Sequence, residues 1–537
     1  MQLKESYWPA TTEIPLLPTT CGSVLRDAAR TMPDHVALID AEGPPGARRR
    51  WTYAALLDAA EHTAQALLLR SVPGSHVAVW AGNSPEWIIL QFGLALAGMV
   101  MVTVNPAYRL NELAYVLRQS RACAIFHQGR YRGVAMGDVI AAACREEGLT
   151  LDLTVCFDDF AAFIASPAGE RPLPPVAPSE PAMIQYTSGT TGQPKGALLN
   201  HHSVTNNARM MALIKEQDRN TVNLAVAPLF HTGGCVGGVL ASVQTHGTLV
   251  LPAAFDADSM LDLIEQERAT YTFAVPTMLL ALLAAQAARP RDLTSLRTVF
   301  SGGAIVPVEV VRRVEAEFGA RLIIGYGQTE TSPAITHTRP DDDALDKSET
   351  IGRALPQVEI KIVDPADGRT QPVGTPGELL TRGFLVMMGY YEMPDATAAT
   401  IDADGWLHTG DLCTMDARGY CRVTGRLKDM IIRGGENIYP REIEEVLYTH
   451  PAVAEVAVIG VPDDYWGERV AAVITLASGA DVDGAALAGF TGSQLARHKV
   501  PQDWFALPAI PTTASGKLQK YRLLEMHRAG ELEAARL

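Results

Sequence analysis

The sequence predicts an α/β protein with a large N-terminal lobe and a smaller α+β unit behind it. Three changes of texture carry that expectation. Through roughly the first 330 residues, Val- and Ile-rich runs alternate with Ala- and Leu-rich stretches, the pattern of buried, mostly parallel strands separated by helices. From Gly352 to about Val423, short strands and turns take over and predict a β-rich subdomain. Past Arg426 the pattern resets into a unit of independent domain size. A chain of 537 residues, 47% hydrophobic, is too long for one ordinary core.

In chain order, His76–Trp80, Leu249–Leu251, Tyr271–Val275 and Thr298–Phe300 read as strands, with helices over Asp258–Glu267 and Val308–Phe318. Trp87–Val104 is apolar enough to suggest a membrane span. Gln91, Gly93 and Gly98 interrupt it, and Pro85-Glu86 and Asn105-Pro106 flank it, so a buried helix followed by a core strand is expected. Pro172–Pro181 is a proline-rich connector between lobes. Val358–Val363 and Gly377–Leu380 read as strands of the β-rich part. In the last unit, helices are expected near Pro440–Tyr448 and Ala485–Leu495, and strands at Val453–Gly460 and Val470–Leu476. No internal repeat is evident.

A net charge of −15 without blocks of Lys or Arg argues against nucleic-acid binding, which needs clustered positive charge. Any anionic ligand must then be held by local donors. The seven cysteines, at 21, 123, 144, 156, 235, 413 and 421, form no C-x-x-C pair. Reduced thiols in a cytoplasmic protein are expected, with no structural zinc. The first residues lack the charged-then-apolar order of a signal peptide, and no integral membrane segment is expected.

The densest cluster of donors is Tyr186-Thr187-Ser188-Gly189-Thr190-Thr191-Gly192-Gln193-Pro194-Lys195-Gly196. Glycines let the backbone approach a polyanion, hydroxyls donate to it, and Lys195 adds a compact positive charge. The spacing is not that of a Walker loop, and Gly196 stands where a metal-binding hydroxyl would follow the lysine. A polar surface turn has a similar composition, but apolar runs that could pair as strands flank this one. The second cluster, Gly325-Tyr326-Gly327-Gln328-Thr329-Glu330-Thr331, follows a short apolar strand, and ligands collect at the carboxyl ends of such strands. Magnesium favours a few carboxylate oxygens plus phosphates, so Glu330 could supply an oxygen to Mg2+ while Thr329 donates to a phosphate.

These two runs resemble the signature loops of the adenylate-forming (AMP-binding) superfamily, and three further segments extend the resemblance. They are Trp406-Leu407-His408-Thr409-Gly410-Asp411, the stretch Gly425–Pro440, and Pro511-Thr512-Thr513-Ala514-Ser515-Gly516-Lys517. The match runs in order from about residue 20 to 525. It implies an N-terminal lobe of two α/β subdomains and a β-barrel over 1–427, with a small mobile C-terminal domain over 428–537 acting as a lid. Within that superfamily the chain resembles medium-chain fatty acyl-CoA synthetases and other acyl-CoA ligases.

The resemblance also implies roles. Asp411 holds the ribose hydroxyls, Arg426 assists there, Lys428 is the pivot, and Lys517 is the adenylation lysine. Arg433, Gly434 and Gly435 pass near the pantetheine arm of coenzyme A. Gly302, Gly303 and Ala304 border the adenine, on which Tyr326 stacks, and Gly325 and Gly327 complete that loop. Thr190 and Lys195 hold the departing pyrophosphate. His231 would gate the acyl pocket near the carboxylate, with Thr232, Gly233, Cys235, Val236, Gly237 and Gly325 lining it. No Asp in that segment is available to pair with an α-amino group, so an apolar acid is expected, with ATP, Mg2+ and coenzyme A. Transfer to a carrier protein, catalysis of the thioesterification half alone, a luciferase-like oxygenase and a homodimer stay open.

Overall fold

The computed structural model describes residues 2–165, 172–187, 194–433, 436–463, 465–512 and 518–537. Two extended sheets form the body of the large lobe. The first has seven strands, with His76–Trp80 and Val100–Val104 parallel at its centre and Pro181–Thr187 parallel to the latter. Pro181–Thr187 pairs antiparallel with Lys195–Asn200, and the last pair before the donor-rich run is Thr187 with Lys195. The second sheet has nine strands, among them Tyr271–Phe273, Thr298–Gly302 and Arg321–Gly327 side by side and parallel.

The Val- and Ile-rich runs become strands because both faces of these sheets are covered by helices. The apolar stretch after Trp80 is a helix, Pro85–Leu96, capped by the Ser84 hydroxyl and followed by the buried strand Val100–Val104. Trp87, Leu90 and Phe92 are fully buried in protein, which accounts for the hydrophobicity. Among the described residues no helix is long and apolar enough to cross a membrane.

The β-rich stretch is a five-stranded antiparallel sheet built from Val358–Val363, Gly377–Gly383, Leu407–Met415 and Cys421–Arg426, with Tyr7–Trp8 as its edge. Beyond it, Ile431–Arg433 and Glu436–Ile438 pair as two short strands of a separate sheet. That sheet continues through Gly467–Leu476, Val453–Asp463 and Asp503–Ala506, and its core is its own, centred on Ile443, Val458, Val470 and Ile474. The strands run three residues further than expected at each end of the turn joining Val453–Asp463 to Gly467–Leu476. The expected helix over Ala485–Leu495 is Gly484–Gly492, started by the Asp483 cap.

Candidate active site

The two sheets of the large lobe and the β-rich sheet bring the first four signature segments to one place. On the nine-stranded sheet, Gly302 and Gly325 face each other in register at the carboxyl ends of adjacent parallel strands. A Cβ on Gly302 would lie 2.6 Å from the Gly325 carbonyl oxygen, so the residue type is fixed by backbone approach. Past Gly327 the chain makes the short turn Thr329–Thr331. That turn is clamped from below. The buried Asn207 amide donates to the Ala334 carbonyl (2.8 Å) and accepts from the Ala334 N–H (3.0 Å), and the Gln328 N–H donates to the Thr331 hydroxyl (3.1 Å).

Glu330 leaves this turn toward the strands Pro181–Thr187 and Lys195–Asn200. Its Oε1 accepts a hydrogen bond from the Tyr390 hydroxyl at 2.8 Å and lies 3.5 Å from the Thr187 hydroxyl. Its Oε2 makes no hydrogen bond to a described residue. The Lys195 ammonium sits 4.9 Å from the Tyr390 ring centre, so this lysine and the carboxylate share one tyrosine. Burial first, and then the Glu330 charge, raise the Tyr390 hydroxyl well above its usual pKa, which keeps it a proton donor at neutral pH. The Thr329 side chain makes no hydrogen bond among the described residues.

A carboxylate whose second oxygen bonds to no described residue, with the Thr187 hydroxyl and Lys195 close by, suits a magnesium ion that takes most of its remaining ligands from phosphates and water. Consistent with that, the described residues hold no cluster of three or more His, Cys, Asp or Glu able to cage a metal on their own.

Asp411 is held much more tightly. It is 3% exposed, and its strand pairs it in register with Arg426. The Arg426 Nε is 2.9 Å from Oδ1, the Tyr326 hydroxyl donates to Oδ2 at 2.6 Å, and the Gln328 amide donates to Oδ2 at 3.1 Å. Burial and the Asp411 charge push the Tyr326 hydroxyl far above its usual pKa. A fixed carboxylate of this kind can accept two vicinal hydroxyls.

His231 is exposed, its ring 5.5 Å from that of Phe230, and its carbonyl accepts from the N–H groups of Gly234 and Cys235 at the start of the helical run that follows. Gly233 is exposed beside it, and Gly237 is half-buried. Cys235 and Val236 are fully buried in the main core; the Cys235 sulfur accepts from the Gln185 amide at 3.3 Å, and burial raises its thiol to about 12. Thr232 is buried too, and Gly303, Ala304 and Gly327 lie exposed around the mouth of the Gly302–Gly325 pair.

On the smaller domain, Arg433 donates to the His498 carbonyl at 2.9 Å and stacks 5.1 Å from the Trp466 ring, which is 43% exposed beside an 83% exposed Tyr465. Lys428 stands in the turn Leu427–Asp429, immediately after Arg426. Ser188, Gly189, Thr190, Thr191, Gly192, Gly434, Gly435 and Lys517 lie outside the described residues.

Sequence reasoning missed Tyr390, Gln328, Asn207 and Trp466. Gln328 stood inside a quoted motif; the other three lie far from the motifs they serve and give no local signal.

The family follows from the matches to known proteins. Residues 25–391 match the model for AMP-binding enzymes, and residues 442–517 match that for the AMP-binding enzyme C-terminal domain. The chain belongs to the AMP-binding, adenylate-forming enzyme family. It is 41% identical over 541 residues to the putative acyl-CoA synthetase YngI of Bacillus subtilis, covering 95% of this chain and 97% of that one. It is 32% identical to the human mitochondrial medium-chain acyl-CoA ligase ACSF2, covering 97% and 89%. Among solved structures, ATP-bound MatB from Rhodopseudomonas palustris superposes with a TM-score of 0.87 at 30% identity, covering 95% and 99%. The B. subtilis o-succinylbenzoate CoA synthetase in complex with its acyl-adenylate superposes with 0.82 at 29%, covering 95% and 98%. The protein is therefore an AMP-forming acid–thiol ligase of acyl-CoA synthetase type, using ATP, Mg2+ and coenzyme A.

Proposed function

We propose that the enzyme activates an apolar carboxylic acid, a fatty or bulkier hydrophobic acid, and passes the acyl group to coenzyme A. A carboxylate does not acylate a thiol directly, because oxide would have to leave. In the first step a carboxylate oxygen attacks the α-phosphorus of ATP, and pyrophosphate departs with the electrons of the α–β bridge. In the second, the thiol sulfur attacks the acyl carbonyl, AMP leaves, and the thiol proton passes to solvent.

The observation that carries this reading is the pairing of two unlike carboxylates, Asp411 locked by Arg426, Tyr326 and Gln328, and Glu330 presented beside Lys195. Gln328, which holds Asp411, stands two residues before Glu330, so one nucleotide would be held at both ends. Asp411 takes the ribose and Tyr326 the adenine, with Gly302, Gly303 and Ala304 bordering the base. Thr187, Ser188, Gly189, Thr190, Thr191, Gly192 and Lys195 enclose the phosphates. Bound magnesium supplies charge neutralisation for the departing pyrophosphate, and Glu330 is the residue that would hold it, with Thr329 donating to phosphate. Lys517 addresses the reacting end, so positioning and charge, rather than proton transfer, make up the catalysis of the first step.

Residues 1–427 form the stationary lobe and 428–537 the lid. Turning at Lys428 withdraws Lys517 and brings Arg433, Gly434 and Gly435 over the site for the second step. His231 gates the acid, and Thr232, Gly233, Gly237 and Gly325 shape its pocket, with Cys235 and Val236 forming the packed layer behind. Seven free cysteines support a reducing, cytoplasmic setting. The test is a panel of carboxylic acids with ATP and coenzyme A, read by mass spectrometry. Acyl-CoA and AMP in equal amounts from a hydrophobic acid are expected, and turnover restricted to a carrier protein would overturn the acceptor.

A further inference from the structure

Lys215 caps the end of the helix His201–Ile214 and is 2% exposed, yet it has no carboxylate partner among the described residues. Its ammonium is 3.2 Å from the Tyr271 hydroxyl and rests on two rings, Tyr271 at 5.0 Å and Phe300 at 4.9 Å. Beside it His337 is fully buried, with neither ring nitrogen in a hydrogen bond, its ring 5.0 Å from that of Phe300. Buried polar groups are nearly always paired, and a lone buried cation is costly. The cluster thus retains unused donor capacity in the interior of the lobe.

One glycine of the expected acyl pocket, Gly325, abuts this cluster. A Cβ on Gly325 would lie 2.3 Å from the Phe300 ring and 2.8 Å from the His337 ring. Phe273 and Phe300, in register on adjacent strands, are only half-buried. From Gly302 down its strand to Thr298, the partner of Tyr271, is four residues, about 13 Å at the usual strand rise.

We propose that Lys215, Tyr271 and His337 form the polar far end of the acyl pocket, where they bind an oxygen acceptor carried by the acid at the end remote from its reacting carboxylate. The substrate class is then acids of medium length with an apolar body and a distal hydroxyl, carbonyl or carboxylate. This rests on the acyl-CoA ligase reading above. Burial pushes the Lys215 ammonium down to about 7, so near neutral pH the amine donates to a neutral oxygen or charges against an anionic one.

The test pairs unbranched acids of increasing length with their ω-hydroxy and ω-carboxy counterparts, measuring kcat/KM in the full-length wild type, Lys215→Met and Tyr271→Phe. Wild type should prefer an oxygenated acid about tenfold or more at one length. Lys215→Met should lose that preference while keeping the unsubstituted acid, and Tyr271→Phe, which removes one hydroxyl, should weaken it. A wild type that prefers the unsubstituted acid at every length, or an unchanged ratio in Lys215→Met, overturns the proposal. If no acid turns over, the ligase reading fails. The cluster is then judged by melting temperature: a rise with the oxygenated acid in wild type and none in Lys215→Met supports it, and equal shifts overturn it.

Discussion

Asp411 and Glu330 are carboxylates of the same cleft held in opposite ways. Among the described residues Asp411 has three side-chain partners within 3.1 Å and almost no exposure, whereas Glu330 has one firm partner and an oxygen bonded to none of them. The difference separates two jobs. A group that recognises a fixed sugar gains from being immobilised before the ligand arrives, because less freedom is lost on binding. A group that shares a hydrated ion with phosphates must keep an oxygen available. The surrounding residues follow the same division, with Arg426, Tyr326 and Gln328 spent on Asp411 and, among the described residues, Tyr390 and Thr187 the side chains that bond Glu330.

Breaking the catalytic side of that contrast should produce the largest effect. Lys517→Ala should abolish acid-dependent adenylation while sparing thioester formation from supplied acyl-adenylate, as measured in the two half-reactions; equal loss of both would contradict its role. Glu330→Gln should lower kcat/KM for adenylation by about 10²- to 10³-fold, the scale of losing one transition-state stabiliser. Its stability should stay within about 0.5 kcal/mol of wild type, as for a residue with few partners. Asp411→Asn is the structural counterpart. It should raise KM for ATP and also destabilise the fold by about 2 kcal/mol, because charge-assisted hydrogen bonds from Arg426 and Tyr326 are lost. Chemical denaturation of the two variants side by side would dissolve the contrast if they fell equally.

Smaller effects come from outside the cleft. Lys428→Pro should slow thioesterification more than adenylation in stopped-flow measurements, since proline fixes φ at the pivot. The smallest concerns pH. Lys215 titrates near 7 in the fold and near 10.4 unfolded, so the unfolded chain binds the extra proton between those values. Stability should therefore rise with pH from about 7 to 10 in wild type, and this component should be missing in Lys215→Met. His337, held neutral by burial, adds a loss of stability below about pH 6.5, where the unfolded chain becomes protonated.

Much of the architecture could be read from the chain because it depends on local pattern. The alternation of Val-rich runs with Ala- and Leu-rich helices is visible at any point, and Gly325–Thr331 carries its strand, turn and carboxylate within seven residues. What stayed hidden depends on long-range closure. Asn207 clamps a turn more than a hundred residues away, and Tyr390 reaches Glu330 from a two-residue strand with no motif of its own. No local pattern sets Lys215 apart, and only the packing of Tyr271 and Phe300 around it does so. The glycine run after His231 was read as open pocket wall; Cys235 and Val236 instead turn into the core, because that helical run must also cover the main hydrophobic cluster.

The most direct measurement is acid-dependent exchange of labelled pyrophosphate into ATP without coenzyme A, in wild type and Lys517→Ala. The account predicts exchange with a hydrophobic acid in wild type and none in the variant. Absence of exchange in wild type, with thioester still formed from supplied acyl-adenylate, would contradict it.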